Sequence, residues 1–235
     1  MPEVHKHGFS WEKSLLCGVY GAQEGELKGV GYTCKTDLPA ALNRLDAGVG
    51  VSIKTAGLTN AVCMGDCLRV FDATSGATAG KPAEPLHMTV VHYSQDDAAG
   101  VKKLAAVTEV DLTGAAPLLF GSITRAELEA LDRMVKAVPQ KRSPNPEEHA
   151  AMYTVRDWLL PHCRAIHLDI KCNSQQSRLQ CSFSRSSFQQ FLAEHPERVV
   201  ARSTTAEFRG GRIVEQVVSA RRVFANKKVA ATPAV

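Results

Sequence analysis

No stretch of the chain approaches the unbroken apolar run that a bilayer span requires. The first ten residues, Met1 to Ser10, are too polar for a secretory signal, so the protein is expected to stay where it is made, in the cytoplasm or nucleus, with no membrane partner. Internal repeats and low-complexity tracts are lacking as well, which sets aside repeat architectures. Seven cysteines, an odd number in 235 residues without a signal, read as reduced thiols rather than a disulfide framework. Cys63 and Cys67 are the one close pair, and the second pair that a structural zinc site would want is missing. His87 and His92 have no partner at ligand spacing and read as strand residues with satisfied nitrogens.

What is present is ordinary globular composition, 44% hydrophobic and 22% charged, enough for one large domain or a core with an appendage. The net charge of +4 conceals an asymmetry. Up to Leu119 there are 10 lysines and arginines against 13 acids; the remainder has 18 against 11, and from Lys171 onward the count is 11 against 4. Cations gathered toward the C-terminus suit a grip on a polyanion, or else simply aid solubility.

Gly8 to Gly21 reads as an opening helix capped by Ser10, with Trp11, Leu15, Leu16 and Val19 at helical spacing. On the helical wheel Glu12 falls inside the arc of these apolar residues, between Val19 and Leu16. A carboxylate aimed at a core needs a partner or a metal, unless it is an acid held at the helix start by the dipole. Gly25 to Gly31 breaks the helix, and Val30 to Cys34 can start a strand. From Val49 the apolar residues alternate, with Val49, Val51 and Ile53 on one face and Gly50, Ser52 and Lys54 on the other. Val62 to Phe71 reads as a short helix, Thr74 to Pro85 as a loop, and His87 to Tyr93 and Leu104 to Leu112 as strands. Thr124 to Val138 opens on a capping box, and Pro146 to Leu160 is a second helix carrying Met152, Val155, Trp158 and Leu159. A boundary near Gly121 would separate a core, residues 1–120, from a second region, residues 121–235. That region reads as strands Ile166 to Lys171 and Arg178 to Phe183, a helix Ser186 to Glu194, and strands near Val199 to Arg202 and Ile213 to Arg222.

The chemistry points to Asp37, at the end of Tyr-Thr-Cys-Lys-Thr-Asp, and to Gly-Val-Gly-Val-Ser-Ile-Lys-Thr at residues 48–55. Ser52 and Lys54 share a strand face. A lysine ending an apolar strand, with an aspartate upstream, places an ammonium beside a metal-binding carboxylate, which suits attack on a phosphodiester. A lysine capping a strand end in solvent is the plainer alternative. With Glu12 included, the order helix, three strands, helix, strand resembles the PD-(D/E)xK nuclease superfamily over roughly Gly8 to Tyr93. The local pattern is similar to the branch of restriction enzymes in which the acid before the lysine is replaced. Ser52 stands at that place, one carboxylate fewer on the strand.

The resemblance implies an α/β fold with a restriction-endonuclease-like core, a central mixed sheet flanked by helices, and a basic C-terminal α+β region. It implies a magnesium-dependent endonuclease of double-stranded DNA, with Asp37 as the main metal ligand, Glu12 as the second, and Lys54 orienting or deprotonating the attacking water. Many such enzymes are homodimers, so that two sites meet two strands. Magnesium suits hard carboxylate and water oxygens and accepts few protein ligands. Asp46, in a glycine-flanked turn, is the alternative acid.

Asp169-Ile-Lys171 is a second Asp-x-Lys, with Asp157 upstream in the preceding helix. It lacks an earlier strand bearing an aspartate, and it opens the basic stretch Lys171, Arg178, Arg185. Lys171, Arg178, Gln180, Arg185, Arg221 and Arg222 are the expected DNA contacts, cations to phosphates and amides to base edges; a plain polar hairpin is the alternative for residues 171–178. Two rival functions stay open: a repair or junction nuclease of the same fold, and a nucleic-acid-binding protein without catalysis.

Overall fold

The computed structural model describes residues 6–27, 36–76, 84–139, 142–173 and 175–218, with side chains from residue 10. The strand expected at Val30 to Cys34, and the residues Arg221 and Arg222, lie outside this range. The fold is mixed α/β, with a central mixed sheet flanked by helices. Among the described residues no helix is long and apolar enough to cross a membrane.

In chain order the elements are α1 (Lys6–Gly18), α2 (Glu24–Leu27), β1 (Gly50–Gly57), β2 (Val62–Asp66), α3 (Cys67–Thr74), β3 (Leu86–Asp96), β4 (Val101–Asp111), α4 (Ala116–Phe120), α5 (Arg125–Ala137), α6 (Pro146–Leu159), β5 (His167–Asn173), β6 (Gln176–Phe183), α7 (Arg185–Glu194), β7 (Val199–Ser203), β8 (Glu207–Phe208), β9 (Gly211–Arg212) and β10 (Gln216–Val218). They form two compact units through which the chain passes repeatedly. One contains residues 1–59, 87–110 and 199–235, the other residues 60–86 and 111–198. A single cut near Gly121 therefore separates neither: β7 and β10 return to the first unit to pair with β4.

In the first unit the sheet runs β1-β3-β4-β10, with β7 also on β4. At 11 residues β4 is long enough to pair β7 through Thr108↔Arg202 and β10 through Val217↔Lys102. Trp11, Leu15, Leu16 and Val19 of α1 are all buried, as their spacing predicts, against Val51, Ile53, Val91 and Val107 of the sheet. The helix starts at Lys6, so Ser10 lies inside it and does not cap it.

In the second unit β6 is the middle strand of an antiparallel sheet, β2-β6-β5. Leu128, Leu131 and Val135 of α5 are buried as a stripe, and the Thr124/Glu127 capping box is formed. Residues 62–71 are not one helix. Val62 and Met64 turn inward as alternating strand residues of β2, and α3 begins only where Asp66 accepts a hydrogen bond from Arg69 N at 3.1 Å. On α6, Met152 and Leu159 are buried, whereas Trp158, expected beside them, is 58% exposed.

Candidate functional site

Strand register builds the site. Leu38 and Val51 exchange two backbone hydrogen bonds of 2.9 Å in an antiparallel bridge, so the residue before Leu38 lies across from the residue after Val51. Those residues are Asp37 and Ser52. Lys54 is two further along β1, on the same face as Ser52. Oδ2 of Asp37 consequently accepts from three donors, Ile53 N at 2.6 Å, Ser52 Oγ at 3.2 Å and Lys54 Nζ at 3.3 Å. Among the described residues no donor reaches Oδ1.

Glu12 comes from α1, which packs on β1. Its carboxyl is pushed up to about 7, first by burial and then by the negative charge of Asp37, with Lys54 pulling the other way. Two carboxyls and an ammonium from three separate segments thus share one electrostatic neighbourhood. Repulsion between two acids is the kind of imbalance a hard cation relieves, and Oδ1 of Asp37, which no donor among the described residues reaches, is an oxygen that could hold one. Asp37 is 32% exposed at its side chain, which leaves room for the waters magnesium keeps. Ser52 Oγ donates to Asp37 and so helps to orient its carboxylate.

The alternative acid Asp46 is committed elsewhere in the same unit. Arg209, at the tip of the β8–β9 hairpin, donates from Nη2 to Asp46 Oδ1 at 2.9 Å, from Nη1 to Asp46 Oδ2, and from Nη1 to both oxygens of Glu109 at 3.0 Å. That guanidinium holds the Asp46 carboxyl below the usual range. His87 Nδ1 lies 2.7 Å from Glu109 Oε1, satisfying a nitrogen as anticipated for a strand histidine. The ligand atoms of Asp46, His87 and Glu109 fall within 4.8 Å of one another, close enough to hold a metal. Arg209 already sits between the two carboxylates and sets one positive charge against their two negative ones. Glu109 and Arg209 could not be foreseen locally, because 100 residues separate them.

In the second unit Asp169 accepts from Ser182 Oγ at 2.6 Å, whereas Asp157 is exposed and bonds its neighbour Arg156. The second Asp-x-Lys therefore has no assembled carboxylate pair in these contacts. Lys171 and Arg178 stand directly opposite each other in the β5–β6 register, and Arg185 is exposed at the first position of α7. Gln180, expected to reach bases, is only 7% exposed; with its amide oxygen turned to Arg178 it accepts from Nε and Nη2 at 3.0 Å each. It braces an arginine and presents little of itself.

In comparisons with protein-family models, curated proteins and solved structures nothing matches this chain.

Proposed function

We propose that the protein is a magnesium-dependent endonuclease that hydrolyses phosphodiester bonds of double-stranded DNA in the manner of restriction enzymes. The observation that carries this is Lys54 Nζ 3.3 Å from Asp37 Oδ2 on the strand against which α1 packs, with the Glu12 carboxyl of α1 pushed up to about 7, first by burial and then by the charge of Asp37. Phosphodiester hydrolysis needs an activated water, neutralisation of the charge growing on the phosphate, and help for the leaving oxygen. Magnesium, held by Asp37 and Glu12, would supply Lewis acidity to the phosphate oxygens and lower the pKa of a bound water. The remaining work falls to the chain. Ser52 Oγ and the Ile53 amide fix Asp37 by hydrogen bonds to Oδ2. Lys54 is 22% exposed at its side chain, so it can leave Asp37 to hold the attacking water or stabilise the oxyanion.

Incubation of supercoiled plasmid DNA with the protein in magnesium, beside an EDTA control, tests the reading. Discrete fragments that vanish with EDTA are the expected result; nicking or structure-selective cutting would favour a repair nuclease. Ser52, which lacks a carboxylate, favours the rival of a binding protein without catalysis. DNA that is bound but uncut in magnesium would establish that rival.

A further inference from the structure

Asp46, His87 and Glu109 converge from three places in the first unit: the turn before β1, the start of β3, and the far end of β4, the strand beside β3. The turn bearing Asp46 is pinned by Asn43, whose Oδ1 accepts from Asp46 N at 2.9 Å and whose Nδ2 donates to Val49 O at 2.9 Å. The inner end of the cluster is dry, since the Glu109 side chain is wholly buried, whereas Asp46 is 24% exposed at its side chain and gives the outer end access to solvent. Arg209 meets these groups in an uncommon way. Its Nη1 has three carboxylate oxygens around it, Asp46 Oδ2 and, at 3.0 Å each, Glu109 Oε1 and Oε2. One guanidinium nitrogen of this kind carries two hydrogens, too few to serve three acceptors fully. The backbone adds a second observation. Arg209 has φ 50 and is followed by Gly210 at φ 81; among the described residues it is the one non-glycine with positive φ. A two-residue hairpin turn with positive φ at both positions favours Asn, Asp or Gly, so an arginine is there for the reach of its side chain.

We propose that Asp46, His87 and Glu109 form a binding site for a divalent transition-metal ion, and that Arg209 is an internal cation which that metal displaces. Nη1 stands where a metal would meet the same oxygens, and the ligand atoms of all three residues lie within 4.8 Å of one another. Charge favours the exchange: a divalent ion sets two positive charges against two carboxylates, where the guanidinium sets one. The ligand set selects the class. Carboxylate oxygens alone suit magnesium or calcium, whereas an imidazole nitrogen among them favours first-row transition ions such as zinc or nickel. Rotation of the Arg209 side chain at the hairpin tip opens the site without moving β3 and β4, which carry two of the ligands. None of the three ligands belongs to the group of Asp37, Lys54 and Glu12, so the proposal stands apart from the nuclease reading.

The test uses the full-length protein, stripped of metal with a chelator and then held in excess magnesium, with cobalt(II) as the probe. Wild-type protein should bind cobalt and show a hyperfine-shifted histidine ring proton in its NMR spectrum. A thiolate-to-cobalt absorption band, which the cysteines of the chain would give, should not accompany it. His87→Gln should lose the shifted proton. Asp46→Asn should bind cobalt about tenfold or more weakly, since losing a ligand costs at least what losing a ligand's supporting partner does. Arg209→Ala should bind cobalt about tenfold or more tightly than wild type, because no internal cation has to leave first. Cobalt should also raise the melting temperature of Arg209→Ala by more than that of wild type. Asp37→Asn should keep the shifted proton, which separates this site from the proposed magnesium site. Absence of a shifted histidine proton in wild type would overturn the proposal, and so would one that His87→Gln retains. Cobalt binding confined to Arg209→Ala would overturn it as well, since the arginine would then be a permanent occupant.

Discussion

At the scale of single residues the site turns on how one carboxylate is occupied. Asp37 has one oxygen taken by Ile53, Ser52 and Lys54, while among the described residues no donor reaches the other, so its orientation is set before any ligand arrives. Lys54→Ala should lower single-turnover cleavage in magnesium by about a hundredfold or more, while the binding isotherm in calcium stays close to wild type. In the proposed reaction the lost ammonium acts on the transition state. Asp37→Asn should behave alike, because an amide is a poorer ligand for a hard cation. A Lys54→Ala enzyme cutting at near wild-type rate would remove the assignment. Glu12 gives the pH dependence. Its folded pKa is raised from 4.5 to about 7, so its contribution to the metal-free protein's stability is fully present below 4.5 and is lost as pH rises through about 7. Magnesium needs the carboxylate form, so the rise in melting temperature on adding magnesium should be larger above pH 7 than below it. Glu12→Gln should flatten that difference and raise the magnesium required for cleavage. Equal magnesium shifts on both sides of neutrality, in wild type and variant alike, would return Glu12 to a helix residue of no special role.

At the scale of elements, α1 is held in place by the segment that follows the β8–β9 hairpin. Trp11 Nε1 donates to Val214 O at 2.8 Å and Val214 N donates to Ser14 Oγ at 2.9 Å, two bonds that bracket Glu12 along the helix. Farther along α1, a Cβ on Gly211 would come within 2.2 Å of Gly18 O. Backbone meets backbone there, with no flexible side chain to yield. Gly211→Ala should therefore cost about 1–3 kcal/mol, read from a thermal or denaturant melt. Since α1 carries Glu12, the same variant should need more magnesium; an unchanged melt would mean that the close approach relaxes freely. The faces on which Ser52, Lys54 and Glu12 lie are legible in the sequence because each is set within its own element. A period of two sets the face of β1, and the helical wheel sets the side of α1. The β2 strand is not, because Cys63, Gly65 and small neighbours carry no strong strand signal until β6 lies beside them. Trp158 misleads for the opposite reason: an apolar residue on a helical stripe reads as core, yet the stripe that α6 buries is narrower than its apolar content.

At the scale of the whole molecule, sequence order and spatial order diverge most. The chain leaves and re-enters the first unit, and the residues returning after Arg198 supply Ala206, Phe208, Ile213 and Val217 to its core. They also supply Arg209, which lies 163 residues from Asp46 and pairs with it and with Glu109, whose side chain is wholly buried. No local pattern marks such a pairing, which is why the sequence suggests a boundary at Gly121 that the fold does not have. Arg209→Ala should destabilise by about 3–5 kcal/mol, because it leaves a buried carboxylate without its cation. Arg209→Lys should recover only part of this, since an ammonium cannot fork between two carboxylates. The consequence for the molecule is that residues 1–120, which contain Glu12, Asp37, Ser52 and Lys54, should not make an active fragment. That piece lacks β7 and β10 beside β4, lacks the cation for Glu109, and loses the clasp of Trp11 and Ser14 on Val214. Expressed alone it should show no cooperative melt and no magnesium-dependent cleavage, while the full chain shows both. A fragment ending at Phe120 that melts sharply and cuts plasmid DNA would mean that the returning strands are dispensable and that α1 holds its place without the C-terminal segment.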